Sequence, residues 1–134
     1  MTPERGFVVF LALTLGLLAM VVWSGLRARR RLHLPCVAAT VAALAGTIYF
    51  AEKMGAHYDL STAGLITPVH LWLAKGTTLA YLAPLATGLL TLRNPTWRPR
   101  HRVCAWVVLA LTVATAVTGT WMLLAAERLP AAGP

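Results

Sequence analysis

Four apolar stretches, 7–26, 34–51, 69–92 and 103–126, take up most of the chain. Each has about the 17–25 residues that a helix needs to cross a bilayer. A polypeptide built this way, with no soluble segment between the stretches, has no way to bury its apolar surface in water. The pattern predicts an all-α integral membrane four-helix bundle, one domain over residues 1–134. Composition agrees, with 58% hydrophobic residues, 12% charged residues and a mean hydropathy of +0.69.

The first stretch is too long for the core of a cleaved signal peptide. It is followed by the stop-transfer flank "RARRR", and no small-residue cleavage site comes before that flank. It is expected to remain as the first span.

The formal net charge of +8 would suit a nucleic-acid binder if it were spread over a surface, but it is not. Arg27, Arg29, Arg30 and Arg31 fall in the first loop, and Arg93, Arg98, Arg100 and Arg102 in the third. Two crossings separate these loops, so both lie on one side of the membrane. The other charges cancel: Arg5, Lys53, Lys75 and Arg128 against Glu4, Glu52, Asp59 and Glu127. The positive-inside rule then puts both basic loops in the cytoplasm, with both termini and the middle loop outside. Nucleic acid is excluded as a partner. Membrane lipids replace it, with anionic headgroups expected on Arg27, Arg29, Arg30, Arg31, Arg98, Arg100 and Arg102. The two cysteines sit near the same reducing surface, so free thiols are expected rather than a Cys36–Cys104 disulfide.

Proline and glycine punctuate the loops. Pro95 and Pro99 should stop helix three and delay helix four, and Pro35 suits the first turn of helix two. Pro84, midway along the third span, deprives the Ala80 carbonyl of its donor and should kink the helix. Polar and small residues form inward stripes: His33, Cys36, Thr40 and Thr47; His70, Thr77, Tyr81 and Gly88; His101, Cys104, Thr112, Thr115 and Gly119. Such residues are what membrane helices set against one another. Helices two to four are expected to form the core, with helix one peripheral.

The basic loops end in a doubled pattern, "HLPC" at His33–Cys36 and "HRVC" at His101–Cys104. Beyond this the two halves share only a basic loop and a helix, which common topology already supplies. Residues three apart on a helix share a face. His33, Cys36, His101 and Cys104 would make a four-ligand site for zinc or copper if helices two and four are neighbours. Alternatively, the thiols merely pack as small buried residues. The imidazoles of His33 and His101 alone could hold haem between helices, with arginines for its propionates, although both lie at helix ends.

On the outer side, His57 and Asp59, with Glu52 and His70, have the chemistry of a cation site; a solvated loop is the plainer reading. Lys75 is the one charge well inside a span. It either snorkels to the outer headgroups, pairs with Glu52, or has a functional role.

The histidine opening helix two, "TPVHLWLA" at His70, "RPRHRVCAW" at His101 and "TAVTGTWML" near the end of helix four resemble one known family. It is the bacterial membrane-protein family catalogued as domain of unknown function four-twenty. The resemblance covers about residues 5–126 and implies four spans in a bacterial inner (cell) membrane. It also implies a link to haem–copper terminal oxidases, with His33, His70 and His101 as ligands of haem b or of a transition metal ion. The family usually has methionine where Cys36 stands and no thiol where Cys104 stands, so the paired cysteines are not a family feature.

No nucleophile–base pair, nucleotide loop or acid pair argues for an enzyme. The expectation is an accessory or assembly protein of a respiratory oxidase, bound to a larger respiratory membrane complex. The alternatives are a cofactor-free structural subunit of a membrane complex and a cytochrome b-like electron carrier.

Overall fold

The computed structural model describes residues 1–130. Its α-helices are α1 (Pro3–Leu26), α2 (Arg30–Gly55), α3 (Ile66–Ala80), α4 (Leu82–Arg93) and α5 (Arg98–Ala125). Single 3₁₀ turns at Leu60–Ala63 and Pro95–Trp97 and two-residue strands β1 (Tyr58–Asp59) and β2 (Glu127–Arg128) fill the connections. The chain divides into two compact units, Met1–Tyr58 and Asp59–Pro134. In the first, α1 packs along α2; in the second, α3 and α4 pack along α5.

Among the described residues, three helices are long and apolar enough to cross a membrane: α1, α2 and the run Pro95–Ala125 that contains α5. The expected third span is divided. Its path leaves the α-helical state at Tyr81, three residues before Pro84, giving segments of 15 and 12 residues. Neither reaches the length of a span alone. The Tyr81 N–H still reaches the Thr77 carbonyl at 3.2 Å and Leu85 N–H the Tyr81 carbonyl at 3.3 Å. The interruption is therefore confined to the carbonyl that Pro84 cannot serve.

Local chemistry explains the helix ends. Thr2 caps α1, with Pro3 in its first turn and Glu4 on its positive end. At the other end of α1, Ala28 takes the left-handed conformation (φ 52°). Its N–H bonds to the Gly25 carbonyl, and Arg29 N–H to the Ser24 carbonyl, the pair of bonds of a Schellman turn. Helix α2 consequently starts at Arg30, so Pro35 lies inside the helix rather than at its start. The one bond Pro35 forfeits would have gone to the Arg31 carbonyl in the first turn of α2. Helix α5 likewise starts earlier than expected, at Arg98, because Pro99 suits a first turn.

The distribution of polarity is that of a membrane protein. The two most buried side chains are Ser24 and Thr14, and Thr40, Thr47, Thr77 and Thr112 are buried beside Ala43, Met54, Val108 and Met122. Large apolar side chains such as Leu79, Leu89, Val117 and Leu124 face outward. With no gain from hiding leucine in lipid, the helices adhere through hydroxyls and small residues. Helix α1 is not peripheral, since it supplies the two most buried side chains.

Candidate functional site: a histidine seat built twice

In the first unit His33 is the fourth residue of α2. Its Nδ1 lies 3.1 Å from the Val21 carbonyl oxygen and 3.2 Å from Ser24 Oγ, both on α1. Its ring rests on Gly25, where an added Cβ would come within 3.3 Å of Cε1. The tight turn at Ala28 brings these residues together.

In the second unit His101 is the fourth residue of α5. Its Nδ1 lies 3.3 Å from Thr87 Oγ1, and a Cβ on Gly88 would come within 3.3 Å of its Cε1. The arrangement repeats that of His33. It extends along both units at a constant register: adding 63 to positions in α1, or 68 to positions in α2, gives the counterparts in the second unit. Ser24–Gly25 becomes Thr87–Gly88, His33 becomes His101 and Cys36 becomes Cys104. Thr14 and Thr47 become Thr77 and Thr115, and each pair is hydrogen-bonded at 2.9 Å. The buried Met54 becomes the buried Met122. The hydroxyl also lies near the matching carbonyl, Ser24 Oγ 3.1 Å from the Val21 oxygen and Thr87 Oγ1 3.4 Å from that of Pro84, although Thr87 gives its proton to the closer Ala83 carbonyl. The doubled His-x-x-Cys is thus part of an internal repeat, not a by-product of topology. Its change of offset comes from the longer second basic loop.

Proton accounting points to the same tautomer at each ring. A carbonyl only accepts, so His33 Nδ1 carries the hydrogen it gives to Val21. Thr87 spends its single hydroxyl proton on the Ala83 carbonyl at 2.7 Å, so it accepts from His101 Nδ1. His70 follows the same rule: its Nδ1 is 3.1 Å from Thr118 Oγ1, which donates to the Ala114 carbonyl. In the neutral imidazoles the lone pair therefore lies on Nε2, the form that a metal or haem iron accepts once the other nitrogen is held.

His70 belongs to a different construction. Its counterpart in the first unit is Phe7, and that of Thr118 is Phe50. It sits tightly on Gly119, where a Cβ would come within 2.7 Å of its Cε1. Below it, Thr77 donates to Thr115, and Tyr81 donates to Thr112 at 2.8 Å. Leu18 and Leu44 stand at the equivalent of that last rung in the first unit.

The other candidates serve local structure. His57 Nδ1 donates to the Lys53 carbonyl at 3.0 Å. Asp59 caps the 3₁₀ turn by accepting from both the hydroxyl and the backbone N–H of Ser61. Those two bonds hold its carboxyl below the usual carboxylate range. Cys36 and Cys104 are free, half-buried thiols one helical turn beyond their histidines. Among the described residues no three His, Cys, Asp or Glu side chains gather as metal ligands would. Of the loop arginines, Arg29 stacks over Trp23 at 4.9 Å and Arg100 over Trp97 at 4.7 Å. Each pair sets a cation beside an aromatic of the kind that anchors at a headgroup boundary.

Sequence periodicity puts Gly88 and Gly119 on inward faces, but it does not reveal either as the floor under an imidazole. The signal that would have found the seat is the hydroxyl–glycine pair closing the first arm of each unit.

No protein-family model matches the chain, and no curated protein or solved structure matches it.

Proposed function

We propose that this chain is a four-span inner-membrane accessory or assembly protein of a respiratory terminal oxidase, in which His33 and His101 present Nε2 to haem or a transition metal ion. In this reading α3 and α4 together make the third crossing, and both termini lie outside. The observation that carries it is the repeated seat, which holds Nδ1 and directs the lone pair to Nε2 in both units. Packing alone would not require the same tautomer twice. Haem suits these donors better than a protein-ligated zinc, because a porphyrin supplies four of the iron's ligands and asks few of the protein. Held there, it would supply a redox-active or ligand-binding iron, with the loop arginines available to its carboxylates. The oxidase assignment rests on the family resemblance.

The test is the reduced-minus-oxidised absorption spectrum of the full chain purified in mild detergent, alone and after addition of haemin. Sharp α and Soret bands that are lost in both His33→Ala and His101→Ala are the expected result. A flat spectrum in both samples sinks the haem reading. Elemental analysis for copper and zinc then decides whether a colourless metal takes its place. The second reading is a cofactor-free structural subunit of a larger membrane complex. It expects neither chromophore nor metal.

A further inference from the structure

We infer that α4 is a hinged gate over His101, so that the second histidine seat opens while the first stays shut. The two seats share their contacts but not their mounting. Val21, Ser24 and Gly25, which hold His33, all belong to the unbroken helix α1. Thr87 and Gly88, which hold His101, belong to α4, and the break at Tyr81 separates α4 from α3. The counterpart of Val21, whose carbonyl clamps His33, is Pro84, the residue that makes the break. The clamp position of one unit is the hinge position of the other.

The fastenings differ on the two sides of that hinge. On the α3 side, His70, Thr77 and Tyr81 bond to Thr118, Thr115 and Thr112 of α5 at 3.1, 2.9 and 2.8 Å. On the α4 side, His101 Nδ1 donates to Thr87 at 3.3 Å, a longer contact than any of these. Every residue of α4 is exposed or half-buried, Thr87 among them, whereas its counterpart Ser24 is 0% exposed. The far end of α4 has slack. In the first unit a tight turn at Ala28 joins the helices. The second link is five residues longer, the difference between the offsets of 63 and 68, and runs through the 3₁₀ turn Pro95–Trp97.

Thr87 lies six residues beyond Tyr81, about 9 Å along the axis. A swing of about 20°, the size of a proline kink, moves it by about 3 Å. That parts Thr87 from the imidazole and lifts Gly88 from under the ring, while the bonds of α3 stay made. Uncovered, His101 can take up or release a ligand. His33 has no such route, because its seat moves only if the end of α1 unwinds. Which ligand the open ring takes belongs to the proposed function; the swing does not depend on it.

The experiment uses the full chain in mild detergent, without added haemin, carrying ¹³C- and ¹⁵N-labelled histidine, threonine and glycine. Relaxation dispersion detects exchange on the μs–ms timescale of hinge motions. The His101 ring and the Thr87 and Gly88 amides should share one exchange process that is absent from His33 and Thr77. Pro84→Ala restores one backbone hydrogen bond and should lower the open population about fivefold, with circular dichroism verifying the fold. Flat profiles at His101 and α4 in the native protein would overturn the proposal without recourse to any variant. So would exchange at His33 equal to that at His101, or exchange at His101 that Pro84→Ala leaves unchanged. Because no haem is present, this outcome and that of the haem spectrum are read separately.

Discussion

His33 Nδ1 is held at 3.1 Å by the carbonyl oxygen of Val21, twelve residues earlier on the facing helix. A carbonyl cannot donate, so this contact decides which nitrogen carries the proton. The same outcome is reached at His101 and His70 through hydroxyls already committed to backbone carbonyls. Above the imidazole titration range, ¹⁵N spectra of histidine-labelled protein should show His33, His70 and His101 as Nδ1–H tautomers. An Nε2–H signal from His33 would remove the basis of the ligand reading.

The glycines under the rings give a graded series. An alanine methyl at Gly25 or Gly88 would meet its histidine at 3.3 Å, a contact that a small ring shift can relieve. At Gly119 the methyl would come within 2.7 Å of His70, and something must move. Overpacking typically costs about 1–3 kcal/mol. Gly119→Ala should lie at the upper end of that range, with Gly25→Ala and Gly88→Ala equal to each other near the lower end. Unfolding curves in mixed micelles would rank the three, and unequal effects at Gly25 and Gly88 would argue against equivalent seats.

The Thr14–Thr47 and Thr77–Thr115 pairs occupy the same register and have the same 2.9 Å separation. Their proton supply differs. Thr14 and Thr47 both have backbone carbonyls to donate to, Phe10 and Ala43, whereas Thr77, among the described residues, has only Thr115. Interhelical hydrogen bonds in membranes average about 0.6 kcal/mol in double-mutant cycles. Cycles of Thr→Val changes should return about that value for Thr77–Thr115 and less for Thr14–Thr47, read from the same unfolding curves.

Much of this was legible in the sequence, and what was not has a physical cause. Apolar length and the arginines alone announced helices able to span a membrane, because hydrocarbon thickness imposes one length on every crossing. The doubled pattern reads in the sequence as common topology because only the contact residues recur, while outward-facing positions such as Val8 and Leu71 vary among apolar residues. The register also shifts from 63 to 68 between the two arms, so a single offset aligns only half of the pattern. Helix boundaries at Arg30 and Arg98 were misjudged because hydropathy marks where the hydrocarbon begins. The helices themselves start earlier, at turns fixed by Ala28 and Pro99.

Ala28 offers a stabilising change. Its φ of 52° places a Cβ where L-residues are strained, and glycine carries no such penalty. Ala28→Gly should stabilise the first unit by about 1 kcal/mol while keeping both Schellman bonds, since those use only the backbone. The expected signature is a higher unfolding midpoint with an unchanged His33 tautomer.

Pro84 is the residue that divides the third apolar stretch. Restoring a donor with Pro84→Ala would let the Ala80 carbonyl take its normal partner and join α3 to α4 as one helix. The gain should be modest, about 1 kcal/mol, because neighbouring groups and water already compensate broken bonds in membrane helices. Hydrogen exchange provides the check. The new amide at position 84 should be protected to the same degree as that of Leu85, which already bonds to Tyr81. If it exchanges freely, the break at Tyr81 is set by packing of the Tyr81 ring toward Thr112 rather than by proline. In that case Tyr81→Phe, which removes the 2.8 Å hydroxyl contact, should be the change that straightens the helix.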